Sequence, residues 1–155
     1  MEELPNEDFI YFGDTARVPY GSKSKETIDA FAIEATNFLL SHKVKTVVVA
    51  CNSASSNSIS VLRRRFNVPV MGVISPSAIS AIQCSISGKI GVIGTYATIQ
   101  SGAYDKILKK HSHLKVYEKA CPLFVPLVEE GMIDHKITHL IGEEYLGPLR
   151  DRGVD

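Results

Sequence analysis

Residues 47–55, VVVACNSAS, and residues 90–98, IGVIGTYAT, decide how the chain is read. Each opens as a short run of Val and Ile, the composition of a strand buried on both faces. Each then passes through small and hydroxyl-bearing residues into a helical pattern. Working outward, further strands are expected over 8–12, 70–73 and 114–118, with the two decisive ones over 46–50 and 89–93. A helix fills the gap between the first two strands. Ser24 can cap it, Glu26 sits in its first turn, and Ile28, Phe31, Ala32, Ala35, Phe38 and Leu39 recur three and four apart. Weaker helical patterns cover 55–66, 77–85 and 97–110. A last helix starts near Asp134 and carries Ile137, Leu140, Ile141 and Tyr145 on one face. Strand and helix in alternation predict an α/β fold with mainly parallel sheets.

The echo between the two stretches predicts two similar α/β units, 1–86 and 87–155, joined through the weakly patterned QCSISGK segment. Both ends read as cut. The last helix stops where the alternation calls for another strand, and a missing strand leaves an unpaired sheet edge.

Composition agrees with a packed globular chain. There are 155 residues, 45% apolar and 22% charged, roughly one domain in length. Lys plus Arg and Asp plus Glu are 17 each, so no overall field favours nucleic acid or an anionic membrane. No apolar run approaches the roughly 18 residues that cross a bilayer, and the start MEELPNEDF is no signal peptide. Three Cys form neither a disulfide framework nor a zinc pattern. Free thiols in a reducing cytoplasm are the expectation.

In open α/β sheets ligands gather beyond the carboxyl ends of strands. Residues 13–21, 51–55 and 94–98 occupy such positions and are rich in hydroxyls, amides and open backbone N–H groups. That chemistry suits a small carboxylate-bearing molecule. Cys51 stands out, because it ends a strand and immediately precedes a helix, where the dipole favours an anion. An unpaired Cys is more commonly a small buried hydrophobe, and Cys84 and Cys121 are expected to be that. His135 and His139 have a metal-compatible spacing, but HKITH lacks the glutamate of HExxH and no third ligand is evident, so a solvated face is expected and no metal. His111-Ser112-His113 reads as a surface turn and Arg63-Arg64-Arg65 as a basic helix end. Asp14 and Arg17 can pair across the first loop. GKIGVIGT lacks the third glycine of a dinucleotide fingerprint.

Five segments in order, FGDTARVPYGSKS, VVACNSAS, NVPVMGVISP, GKIGVIGTYATIQSGAY and ACPLFVPLVEEG, resemble successive segments of bacterial glutamate racemases. These belong to a wider superfamily of aspartate, glutamate and hydantoin racemases. The resemblance implies two α/β domains facing each other across the active site. It implies interconversion of L- and D-glutamate without a cofactor, by two cysteines on opposite faces of the α-carbon. The enzyme class it implies is an isomerase of peptidoglycan synthesis, serving cell-wall biogenesis and cell shape, cytoplasmic, with a homodimer as the candidate assembly. It assigns Cys51 as one of the two thiols. It assigns substrate contacts to Pro19, Tyr20, Gly21, Asn52, Ser53, Thr95 and Thr98, and gives Glu129 the carboxylate that supports a catalytic His.

Departures accompany the match. Family members open with a strand and an Asp-Ser-Gly loop ahead of the matched region, and carry a Cys-Thr-His segment after it. Neither motif occurs in these 155 residues, and neither Cys84 nor Cys121 matches the second thiol. Ser53 replaces the family's Thr, and Ser75 stands where Glu is usual. The alternative readings are an aspartate or hydantoin racemase, or a non-catalytic remnant that binds an amino acid or a protein.

Overall fold

A computed structural model describes residues 3–155. Its elements run α1 (Lys25–Ser41), β1 (Val47–Val49), α2 (Asn52–Arg65), β2 (Val70–Gly72), α3 (Ile74–Cys84), β3 (Lys89–Gly94), α4 (Tyr96–Gln100), α5 (Ala103–Leu108), β4 (Lys115–Ala120), α6 (Phe124–Glu129) and α7 (Lys136–Arg150). The fold is α/β, as expected. β1 and β2 pair in parallel with Val47 opposite Val70, and β3 and β4 pair in parallel from Lys89–Lys115 to Gly94–Ala120.

The first helix forms for the reasons its sequence gives. Ser24 is its N-cap and accepts from the Thr27 N–H. Backbone hydrogen bonding and Ser24 hold the Glu26 carboxyl below its ordinary range. Ile28, Ala32 and Thr36, four apart, are buried, and the Thr36 hydroxyl donates to the Ala32 carbonyl at 2.7 Å. α1 and α2 lie together on one face of β1 and β2, where Ala32, Val47, Leu62 and Val70 make a buried core. A second core holds Ala78, Ile90, Val92 and Leu108, so α3 packs with β3 and α5 rather than with the sheet that precedes it. A third and smaller cluster of Ile28, Ala54 and Ala97 joins α1, α2 and α4. That cluster fixes the first sheet's helices against the second sheet's, and the cleft forms beside it.

Several sequence expectations are corrected. Residues 8–12 form no strand, because no described strand runs beside them, and Phe9, Ile10 and Tyr11 stay exposed. The strands are not covered on both faces. Val48 and Met71, opposite each other in register, are both exposed, since the helices cover only the other side. The helix expected over 97–110 divides at Gly102, whose φ of 61° is left-handed and interrupts the ladder. α2 starts at Asn52, three residues ahead of expectation. Cys84 does not pack; it is exposed as the last residue of α3. On α7, Ile141 and Tyr145 are half-buried while Ile137 and Leu140 are exposed, because only one flank of the apolar stripe meets β4 and α6. Short α6 had no periodic signal, interrupted as it is by Pro126. No described helix is long and apolar enough to cross a membrane.

Candidate active site

The strand β1 ends at Val49, and the chain turns at once into α2 with Cys51 as N-cap. The Cys51 backbone is extended, its carbonyl accepts the first helical bond from Ser55 N–H at 2.8 Å, and its thiol is exposed and makes no cap bond. This is a thiol placed at the positive end of a helix, with no hydrogen bond to it among the described residues. Ser55 ties the corner together. Its hydroxyl donates to the Val49 carbonyl at 2.6 Å and accepts from Val73 N–H at 3.2 Å, linking the ends of β1 and β2.

The loop before α1 supplies the next wall. Arg17 donates through Nε to Asp14 at 2.9 Å, pairs with Glu34, and lies 4.2 Å from the centre of the Phe31 ring. The Tyr20 hydroxyl also donates to Asp14, and its ring packs on Phe31 at 5.7 Å. Burial works to raise the Asp14 carboxyl, but the hydrogen bonds from Arg17 and Tyr20 and the Arg17 charge outweigh it and leave Asp14 below its ordinary range. Burial, then the bond to Asp14, pushes the Tyr20 phenol well above its ordinary value. Tyr20 is therefore a neutral donor already committed to Asp14, and it shapes the site without serving as a base. The expected Asp14–Arg17 pairing is present; the contributions of Phe31 and Glu34 were not anticipated.

Gly21 is where this loop touches the second half of the chain. Its carbonyl accepts from Ala97 N–H at 3.0 Å, and a Cβ there would sit 2.4 Å from Thr95 Cβ and Cγ2. Only a residue without a side chain permits that approach. Thr95 caps α4, and its hydroxyl meets Ser53 at 2.9 Å and Thr98 at 3.2 Å, with Ser53 and Thr98 3.4 Å apart. Three hydroxyls from α2 and α4 thus form one cluster beside Cys51. Asn57 ties the same helices by donating to the Ser53 carbonyl at 2.9 Å and the Ala97 carbonyl at 3.2 Å. Asn52, exposed at the first turn of α2, accepts a hydrogen bond from the Tyr104 hydroxyl at 2.8 Å.

These groups line one cleft of about 1220 Å³. Pro19, Tyr20, Gly21, Cys51, Asn52, Ser53, Thr95, Thr98 and Glu129, the residues to which the resemblance gives a role, all border it, whereas Arg17, Cys84, His135 and His139 do not. Glu129 is exposed at the end of α6 on the far wall. Tyr104 borders it too, with no local pattern to announce it, as does Cys121, expected to be a buried structural thiol. Cys121 is 3% exposed, and burial pushes its thiol up. Among the described residues the cleft's charged groups are Asp14, Glu129 and Glu130, with no Lys or Arg. A carboxylate bound here would rest on a helix N-terminus, hydroxyls and an amide rather than on a cation. His135 caps α7 by accepting from Ile137 N–H, His139 is exposed, and no metal-capable group of three His, Cys, Asp or Glu occurs among the described residues.

A strand-end thiol at a helix start and a cluster of hydroxyls contributed by both halves of the chain thus border one cleft. Residues 2–155 match the profile of the Asp/Glu/Hydantoin racemase family, and the chain belongs to that family. It is 53% identical over 153 residues to a glutamate racemase of Persephonella marina, spanning 99% of this chain and 59% of that protein. It is 54% identical over 151 residues to a glutamate racemase of Aquifex aeolicus, spanning 97% of this chain and 59% of that protein. Among solved structures, glutamate racemase from Aquifex pyrophilus superposes with a TM-score of 0.84 at 46% identity, over 96% of this chain and 58% of that one. A Francisella tularensis glutamate racemase in complex with D-glutamate gives a TM-score of 0.89 at 39% identity, over 99% of this chain and 58% of that one. The chain therefore spans less than two thirds of the length of these relatives.

Proposed function

We propose that these residues form the part of a glutamate racemase site that bears one of its two thiols. The observation that carries the reading is Cys51, exposed at the N-cap of α2 within a cleft lined by Tyr20, Gly21, Asn52, Ser53, Thr95 and Thr98. The solved relative that holds D-glutamate supports glutamate as the substrate. Cys51, as thiolate, takes the α-proton and becomes a thiol. The electron pair left on carbon delocalises into the neighbouring carboxylate, which the open N–H groups of α2 and the hydroxyl cluster stabilise. Pro19, Tyr20 and Gly21 bound the substrate on one side, and Glu129 supports the catalytic machinery from the other wall. Inversion calls for an acid on the opposite face, held within about 3–3.5 Å of the carbon. The resemblance gives that acid to a Cys-Thr-His segment that these 155 residues do not contain.

The same reading carries the rest of the assignment. The reaction needs no cofactor, the product D-glutamate feeds peptidoglycan synthesis, the compartment is the cytoplasm, and the assembly is a homodimer. The two units divide at about residues 86 and 87.

The test follows L-glutamate with the purified chain in D2O, by proton NMR for α-exchange and circular dichroism for chirality. The expected result is weak deuterium incorporation at the α-carbon, abolished by Cys51→Ala, with no D-glutamate accumulating. Racemisation that survives Cys51→Ala refutes the proposal.

A further inference from the structure

We infer that Tyr104 is a positioning residue that fixes Asn52 as a hydrogen-bond donor to the cleft and thereby favours a carboxylate over a carboxamide there. The inference rests on the glutamate-racemase reading and adds a specificity element to the same site. Tyr104 belongs to the second half of the chain. Its ring packs against the core of Ala78, Ile90, Val92 and Leu108, and its hydroxyl reaches across to donate to Asn52 Oδ1 at 2.8 Å, a normal O–H···O length. The left-handed break at Gly102 is what turns α5 away from α4 and so sets the direction from which Tyr104 approaches.

An Asn side chain carries one acceptor and one NH2 donor of nearly equal shape, so a free amide can present either face. Here the acceptor is taken. Among the described residues the Asn52 carbonyl is the one acceptor the Tyr104 hydroxyl meets, and Asn52 Nδ2 has no protein partner. The amide then offers two N–H groups beside the Cys51 helix start and the Ser53 hydroxyl. A carboxylate oxygen satisfies such a wall. The NH2 of a carboxamide does not, because it turns its own hydrogens toward donors and forgoes the bond that an oxygen makes there.

The experiment compares the full chain with Tyr104→Phe, which keeps the ring and its packing and deletes the hydroxyl. NMR titration with L-glutamate and with its α-carboxamide, L-isoglutamine, whose amide replaces the carboxylate that lies beside Asn52, gives two dissociation constants for each protein. The ratio favouring glutamate is expected to fall roughly two- to tenfold in the variant, the worth of one hydrogen bond, while the melting temperature stays close to that of the parent. A merely structural role would weaken both ligands alike, so an unchanged ratio overturns the inference. A second arm needs no ligand. The Asn52 side-chain NH2 signals, assigned by their loss in Asn52→Asp, are expected to be rigid in the parent and mobile in Tyr104→Phe. Equal mobility overturns the inference whether or not glutamate binds. Failure of the parent to bind glutamate instead counts against the proposed function, and the mobility arm then decides the role of Tyr104 by itself.

Discussion

The two exposed cysteines offer a controlled comparison, because they sit at opposite ends of helices. Cys51 is the N-cap of the 14-residue α2, and Cys84 is the last residue of the 11-residue α3. Both are exposed, so access does not separate them. Alkylation proceeds through the thiolate. The helix field favours an anion at the first position and disfavours it at the second, by about 0.3–1 kcal/mol at each end. The two contributions add to about 0.6–2 kcal/mol, roughly a 3- to 30-fold span at about 1.4 kcal/mol per tenfold, which the weaker nucleophilicity of a better-stabilised anion cuts to roughly a 2- to 8-fold difference in rate. Brief iodoacetamide labelling near neutral pH, digestion and peptide mass analysis would read the ratio directly. Cys51 is expected to lead, Cys84 to follow, and the buried Cys121 to be slowest. The lead of Cys51 should shrink in roughly 1 M salt, where the screening length falls to about 3 Å. Labelling of Cys84 at or above the rate of Cys51 would show that the helix start does not activate this thiol.

Other outcomes follow from the packing. Gly21→Ala places a Cβ 2.4 Å from Thr95, so the loop and α4 must separate; a stability loss of about 1–3 kcal/mol is expected in urea denaturation, and an unchanged midpoint would mean that the approach is loose. Leu62→Ala empties a fully buried position between α2 and the β1–β2 sheet; about 2–5 kcal/mol should be lost, checked by the same method. Asp14 has its folded-state pKa depressed, so its ionised form stabilises the fold above the unfolded value of about 3.9, and that contribution fades as pH falls through the lower folded value. Melting temperatures of the parent and Asp14→Asn should therefore differ at neutral pH and converge in acid; a gap that persists in acid would mean that packing rather than charge holds the loop.

Legibility varied with the range of the cause. α1 was readable because its signals are local: a Ser cap, an acidic first turn and apolar residues at helical spacing. Cys51 was readable because the strand-to-helix corner is written into nine consecutive residues. Asp14 with Arg17 was readable for the same reason, being three residues apart. What failed depends on neighbours far along the chain. Residues 8–12 have strand composition, but a strand exists only beside a partner. The division of α4 from α5 hangs on one glycine taking a left-handed φ, which composition permits without requiring. Tyr104 meets Asn52 across 52 positions, so no local pattern could announce it. Cys84 reads as packing within a weak helical run and lies instead exposed at the end of α3.

The most direct measurement of the central claim is protection of Cys51 by substrate. The purified chain is labelled briefly with iodoacetamide at increasing L-glutamate or D-glutamate, and the extent at each cysteine is read from its peptide. The account predicts saturable slowing at Cys51 by both enantiomers, with Cys84 unaffected because it lies outside the cleft. Labelling of Cys51 that is indifferent to both enantiomers, or slowed equally with Cys84, would contradict a glutamate site built around this thiol.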